Sequence, residues 1–161
     1  MFLPLGRLLL MGAIATVTMD IVGALAGRAG IVKPLPPVLI GRWFAAVARG
    51  RPLHENIAHA APVNYELAIA LLAHYLVGIA FAALYLFAAA RLGVSPRSAI
   101  PAVTFGLVTS VFPWMLMFPA MGFGLFGSRG PAETQLFLSS LIGHAAFGIG
   151  LWLGVRASGA G

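Results

Sequence analysis

Three polar side chains interrupt long apolar stretches of the sequence and are its first candidates for chemistry. They are Asp20, His74 and His144. A carboxylate binds protons and cations, and an imidazole binds protons, metal ions or haem iron. Such a set is explained first by a structural hydrogen-bond network between the helices. A site for a proton, a cation or a small ligand comes next, and haem or a metal on His74 and His144 is the third interpretation.

These three residues share a common depth in their segments. Each lies eight to eleven residues from a charged residue at one end of its apolar segment, namely Arg28, Glu66 and Glu133. At about 1.5 Å per helical residue, this places them roughly 12–16 Å below one membrane surface. A carboxylate at mid-membrane costs about 2.5–3.5 kcal/mol on insertion scales, so we expect Asp20 to face the interior with a partner. The three side chains are expected to meet within about 3 Å or through one water.

A short repeat surrounds the two histidines. The pattern His-x-x-x-Gly-Ile occurs at residues 74–79 and again at 144–149. In each copy the glycine lies one helical turn beyond the histidine on the same face, where it leaves room for another helix or a ligand. The repeat suggests two helical hairpins related by an axis along the membrane normal, with chance similarity between apolar helices as the alternative.

The composition is that of a membrane protein. Of 161 residues, 60% are hydrophobic and 9% are charged, whereas soluble domains carry about 25% charged residues. The absence of cysteine excludes disulfides, thiolate metal sites and cysteine nucleophiles. Lys and Arg are scattered singly at the edges of apolar runs, which is typical of membrane topology and excludes nucleic acid as a partner. The expected partner is the lipid bilayer, and a homo-oligomer stays open.

Four apolar segments are long enough to cross the hydrocarbon core, which takes about 20 helical residues. They cover approximately residues 8–27, 65–90, 99–121 and 135–155. No alternating strand pattern is present, and backbone amides in lipid must bond internally, so the segments are helices. The predicted fold is all-α, an integral membrane four-helix bundle formed by a single domain over residues 1–161. The first segment has a rival interpretation as a signal peptide cleaved near residues 24–26.

The first loop, residues 28–64, is the longest polar connection. After a proline-rich break, residues 36–48 show apolar side chains at helical spacing, with Arg42 and Arg49 on the opposite face. This pattern predicts a short interfacial amphipathic helix, either a simple lid or a cap over an entrance to the bundle. The residues assigned to the loop or entrance are Arg42, Trp43, His54, His59 and Glu66.

Two histidines in this loop resemble a zinc-protease motif but do not match it. His54 and His59 are five residues apart instead of four. On a helix this spacing turns them about 140° from each other, so they cannot hold one metal from a single face. A protease is excluded, and a looser metal site using these histidines with Glu55 or Glu66 stays open, with its metal unknown.

The third segment and the turn after it define the same end of the bundle as the first loop. Pro113 and Pro119 each remove a backbone donor, which predicts a kink near residues 114–118. Because both connections emerge on one side, we expect residues 122–131 to lie close to residues 54–62. This side carries six Lys and Arg residues against four on the other, which favours a cytoplasmic long loop, with mixed insertion as the alternative.

The sequence also resembles a known family. It is similar to the bacterial domain-of-unknown-function 2938 family over nearly its whole length, most distinctively from the first loop into the His-Tyr helix. The resemblance implies a small multipass protein of the bacterial inner membrane with no established activity, so no catalytic residue is carried over. The matching residues are Gly41-Arg42-Trp43, Gly50-Arg51, His54, Ile57, Pro62, Glu66, His74-Tyr75, Gly78, Pro113, Pro119, Gly122-Phe123-Gly124, His144 and Phe147-Gly148.

Two classes of function follow from these features. The first is a small carrier or ligand-binding protein in which Asp20, His74 and His144 hold a proton, cation or ligand and the first loop gates access. A lone acid in the first of four helices also resembles the small multidrug-resistance exporters, although their loops are short. The second is a non-transporting accessory or assembly subunit with a structural polar cluster. A membrane enzyme ranks third because no reaction-specific set of residues is present.

Overall fold

The structure is a computed structural model that describes residues 4–131 and 134–159. Four helices are long and apolar enough to span a membrane, as the sequence predicts. Their ends fall within three residues of the predicted boundaries. The spans are Leu5–Arg28 (α1), Glu66–Leu92, Ala99–Ala120 and Leu136–Ser158. A fifth, shorter apolar helix, Pro37–Ala48 (α2), occupies the first loop, also as predicted. The second span is α3.

The ends of these helices follow from their charged residues. Helix α3 has Glu66 in its first turn and Arg91 in its last turn, where each charge complements the helix dipole. Helix α1 ends with Arg28 in its last turn. Helix α2 begins at Pro37, a residue that is preorganised for the first helical position.

The third span is interrupted, which confirms the predicted kink. It begins as α4 (Ala99–Thr109), passes through a π-helical turn at Pro113–Met117 and ends as α5 (Phe118–Ala120). Pro113 opens the π turn because it supplies no backbone N–H to the helix. A short 3-10 turn, Leu125–Gly127, follows, and the fourth span is α6 (Leu136–Ser158).

Contacts group the described residues into two compact units. The first comprises the chain up to Leu25, then Tyr75–Ser110, then the chain from Leu141 onward. The second comprises Ala26–His74 and the described part of Val111–Ser140. The single domain predicted over the whole sequence stays a prediction.

The first unit packs its helices closely at glycines. A Cβ added at Gly12 of α1 would lie 2.7 Å from the Ile79 backbone of α3. At Gly150 of α6 it would lie 2.6 Å from the Ala15 backbone of α1. Small residues thus let backbones approach where lipid gives no hydrophobic driving force between helices. The core around these crossings includes Met11, Ala15, Ala82, Tyr85, Ala102, Phe147, Leu151 and Val155.

The second unit has a separate apolar core beneath α2. Helix α2 contributes Leu39 and Trp43, and the Trp43 indole donates to Pro52 O at 2.8 Å. The π turn and the residues that follow it contribute most of the side chains that pack against α2 in this core. The remaining buried members are Leu35, Ile57, Phe118, Ala120, Met121, Phe123 and Leu136.

One residue of α2 is less exposed than a position on the polar face suggests. The sequence places Arg42 on the same face as Arg49, and its side chain is only 11% exposed. The reason is Glu66, 24 residues later in the chain, which takes the guanidinium as its partner. Arg49 does lie exposed.

Candidate functional site

Asp20 has a partner from a second helix. The Tyr75 hydroxyl of α3 donates to its Oδ2 at 3.2 Å. The expected partner is therefore found, but the expected interior position is not, because the Asp20 side chain is exposed. Val17, Ile21 and Leu25, also exposed, share this face of α1 at helical spacing. A carboxylate thus lies among apolar side chains on the surface of a membrane-spanning helix.

His144 is buried in the same unit and bonded across helices. It is 8% exposed, and its Nδ1 lies 2.8 Å from the Thr109 hydroxyl of α4. That hydroxyl has one hydrogen and directs it to Gly106 O at 2.6 Å. The hydrogen-bond network therefore assigns Nδ1 of His144 as the donor, so that Nε2 carries the lone pair in the neutral ring.

The glycines of the histidine repeat lie at close helix crossings, as predicted. A Cβ at Gly148 would lie 2.6 Å from the Val103 backbone of α4. At Gly78 it would collide with the Thr16 hydroxyl of α1. In both copies the room one turn beyond the histidine is occupied by another helix. The glycines therefore give room to a neighbouring helix, whereas the repeat of two related hairpins and a ligand beside the imidazoles stay predictions.

The meeting of Asp20, His74 and His144 stays a prediction. Asp20 bonds Tyr75 and His144 bonds Thr109, both in the first unit. His74 is half-buried and belongs to the second unit. Glu133, from which the depth of His144 was counted, lies outside the described residues.

An ion pair joins α2 to the start of α3. Arg42 Nε donates to Glu66 Oε1 at 2.6 Å and Nη2 donates to Oε2 at 3.2 Å, a bidentate arrangement. Nη1 of Arg42 donates to Ala60 O at 2.8 Å, and Val63 N donates to Glu66 Oε1 at 2.9 Å. Gly41 permits this contact, because a Cβ there would overlap the Glu66 carbonyl. Arg42 and Glu66 therefore fix the first loop against the helix that carries His74.

The other predicted loop residues separate into two groups. His54 N donates to Ala120 O and Ile57 N donates to Met121 O, each at 2.9 Å, so the first loop packs against the end of the third span. Gly122, the first residue of the turn expected near this loop, lies against the Glu55 carbonyl. His59 ends a 3-10 turn, Ile57–His59, and is exposed. Among the described residues, no three acidic or histidine side chains are grouped as a metal site. The looser loop metal site therefore gains no support.

Two partners of the predicted site were missed by sequence reasoning. Tyr75 and Thr109 hold Asp20 and His144, respectively. Their location in apolar segments could have indicated this role, since a hydroxyl group in such a segment favours a hydrogen bond to a neighbouring helix. Which helix supplies that partner depends on how the helices pack and is not encoded locally.

Comparison with known proteins identifies the family and nothing more specific. No curated protein and no solved structure matches the chain. The family described as "Protein of unknown function (DUF2938)" matches residues 9–158, which is nearly the whole chain. The protein is therefore a member of this family.

Proposed function

We propose that the protein is a small membrane carrier or ligand-binding protein in which Asp20 alternates between a bound proton and a bound cation. The observation that carries the proposal is an exposed carboxylate within a membrane-spanning helix, held by the Tyr75 hydroxyl at 3.2 Å. An ionised carboxylate within a membrane-spanning segment is costly, and a bound proton or cation lowers that cost by offsetting its charge. Exposure leaves the carboxylate accessible to a ligand that arrives through the bilayer.

His74 and His144 are the proposed further members of this site. They share the predicted depth of Asp20, and His144 is held in one tautomer by Thr109. An imidazole at that level provides a second place for a proton when a cation takes the carboxylate. The proposal assigns the protein to the bacterial inner membrane, because it has multipass helices and the family resemblance implies that location.

An accessory or assembly subunit is the second candidate. One observation favours it: the face of α1 that carries Asp20 also carries exposed Val17, Ile21 and Leu25, which is a surface that a partner helix would cover. In that function Asp20 and His144 would only fix helix register, and removing the charge of Asp20 would affect assembly without affecting any ligand.

The test uses tetraphenylphosphonium, a lipophilic cation that partitions into bilayers, as the probe. Its equilibrium binding to the purified protein is measured over a range of pH. We expect binding to strengthen as pH rises, because protons compete for the carboxylate. Asp20→Asn should abolish both the binding and its pH dependence, and Asp20→Glu should keep them.

Thr18→Val is the matched control for these variants. Thr18 lies in the same helix and its hydroxyl donates only to Ile14 O of that helix, at 2.8 Å, among the contacts of the described chain. Valine has the same shape, so cation binding should be that of the parent. Equal binding and equal pH dependence of Asp20→Asn and the parent would refute the carrier proposal and favour the accessory function.

A further inference from the structure

A cleft in the second unit lies where the third span ends. It is an open cleft with a volume of about 500 Å³, enough for a small polar group. We call it the turn cleft. Its polar and backbone lining consists of His54, Glu55, Gly122, Gly124, Ser128 and Arg129.

The walls of the turn cleft are fixed by backbone hydrogen bonds. His54 N donates to Ala120 O at 2.9 Å, which ties the first loop to the end of α5. Arg129 N donates to Phe123 O at 2.7 Å, which closes the turn on the other side. A cleft built on bonded backbone is preorganised, so a ligand loses little free energy in ordering it.

Two glycines allow the walls to come this close. Gly122 has a φ of +86°, and a Cβ there would overlap the Glu55 carbonyl. Gly124 has a φ of +71°, and a Cβ there would lie 2.8 Å from the Ser128 hydroxyl. Both the backbone conformation and the space exclude a side chain at these positions. The shape of the cleft therefore depends on glycine at both positions.

The turn cleft presents charges of both signs, and neither is paired with another described residue. Among the described residues, neither Glu55 nor Arg129 forms an ion pair, and both side chains are exposed. His54 Nδ1 is buried and has no hydrogen-bond partner within residues 4–131 and 134–159. A buried polar nitrogen without a partner points to a bound water or ligand group. The chemistry that matches this lining carries one anionic group and one cationic group.

We infer that the turn cleft binds a zwitterionic ammonium phosphate, the headgroup chemistry of phosphatidylethanolamine. Arg129 and the Ser128 hydroxyl take the phosphate, since a guanidinium and a hydroxyl are its ordinary donors. Glu55 takes the primary ammonium, since a carboxylate is an ordinary acceptor for it. Leu125 also lines the cleft and is 54% exposed, which offers an apolar contact for the chain of a lipid.

The inference is independent of the cation site proposed at Asp20. Asp20 belongs to the first unit and the turn cleft to the second. Asp20→Asn should therefore bind the headgroup as the parent does, whatever its effect on cation binding. The two proposals can fail separately.

The experiment measures lipid binding to delipidated protein in detergent by native mass spectrometry. Short-chain phosphatidylethanolamine is compared with phosphatidylcholine, whose quaternary ammonium cannot donate to Glu55, and with anionic phosphatidylglycerol. We expect the parent to prefer phosphatidylethanolamine at least tenfold over both. Arg129→Gln should lower its affinity at least tenfold, and Arg129→Lys should keep most of it. Glu55→Gln should remove the preference over phosphatidylglycerol.

Arg51→Gln is the matched control, because it removes one exposed arginine from the same loop outside the cleft. Its lipid affinity should be that of the parent. Soluble glycerophosphoethanolamine is tested in parallel to identify the source of the ligand. If the soluble compound binds the parent protein as tightly as the lipid does, the ligand is a free metabolite. If only the lipid binds, the ligand is a lipid of the bilayer. Equal affinity for all three lipids, or unchanged binding in Arg129→Gln and Glu55→Gln, would overturn the inference.

Discussion

At the scale of single residues, the hydrogen bonds that polar side chains form inside the spans are of two kinds. Thr16 and Thr18 donate to carbonyls four residues earlier in their own helix, whereas Tyr75 and His144 bond to neighbouring helices. The first kind satisfies the hydroxyl without fixing any neighbour. The second kind joins two helices and fixes their relative register. Its loss should therefore lower the free energy of unfolding.

Thr109→Val tests this difference. The substitution keeps the shape of the side chain and leaves the buried Nδ1 donor of His144 without its acceptor. We expect the free energy of unfolding to fall by about 1 kcal/mol, the size measured for hydrogen bonds between membrane helices. Thr18→Val is the control and should be close to neutral. Chemical denaturation in mixed micelles measures both, and equal effects would contradict the cross-helix role of Thr109.

Arg42→Gln tests the ion pair at the start of α3. It leaves Glu66, which is 10% exposed, without its bidentate partner, and it removes the donor to Ala60 O. Breaking a buried pair on one side costs about 3–5 kcal/mol, and some exposure places this pair at the lower end. Arg49→Gln, at the exposed residue that directly follows α2, should change the unfolding free energy by no more than about 0.5 kcal/mol. A similar thermal midpoint for the two variants would refute the structural role of the pair.

At the scale of helices, glycine positions decide where backbones meet. Gly148 lies against the Val103 backbone, and the Cβ of an alanine there would approach to 2.6 Å. A backbone neighbour cannot rotate away as a side chain would, so the helices themselves would have to separate. Gly23 of α1 has open space around its position.

Gly148→Ala and Gly23→Ala are therefore expected to act in opposite directions. The first should destabilise the protein by about 1–3 kcal/mol through overpacking. The second should be neutral or stabilising by up to about 1 kcal/mol, because alanine is the better helix former. Thermal unfolding in detergent compares the two variants. A Gly148→Ala protein as stable as Gly23→Ala would contradict the close crossing of α4 and α6.

The helices could be predicted from sequence more fully than the contacts between them. Length and composition locate each span, since only an apolar helix of about 20 residues crosses the hydrocarbon core. The exposure of Asp20 could not be predicted in the same way. Helix α1 is apolar on nearly every side, so no periodicity fixes its rotation about its own axis. The inward turn of Arg42 depends on Glu66, which local patterning does not include.

At the scale of the whole molecule, four candidate spans predict that the two ends of the chain lie on one side of the membrane. The first loop and the connection after the third span are then predicted to lie on the other side. The excess of positive charge on that side predicts that it is cytoplasmic. The sequence contains no cysteine, so single cysteines can report this topology without a background.

Arg51→Cys and Ser95→Cys test the topology directly. Both positions are exposed, one in the first loop and the other in the connection between α3 and α4. A membrane-impermeant maleimide added to intact cells should label position 95 and leave position 51 unlabelled until the cells are permeabilised. The reverse pattern would show inverted orientation, and labelling of both in intact cells would show mixed insertion.

The central claim is that one carboxylate, Asp20, is occupied in turn by a proton and by a cation. The most direct measurement counts the protons released into weakly buffered solution when tetraphenylphosphonium binds to the purified protein, using a pH-sensitive dye. The pH is chosen so that the proton occupies Asp20 before the cation is added. The account then predicts that the parent releases about one proton for each cation bound, because one carboxylate holds one monovalent charge. Asp20→Asn should release none. Cation binding without proton release in the parent, or equal release from the parent and Asp20→Asn, would contradict the account.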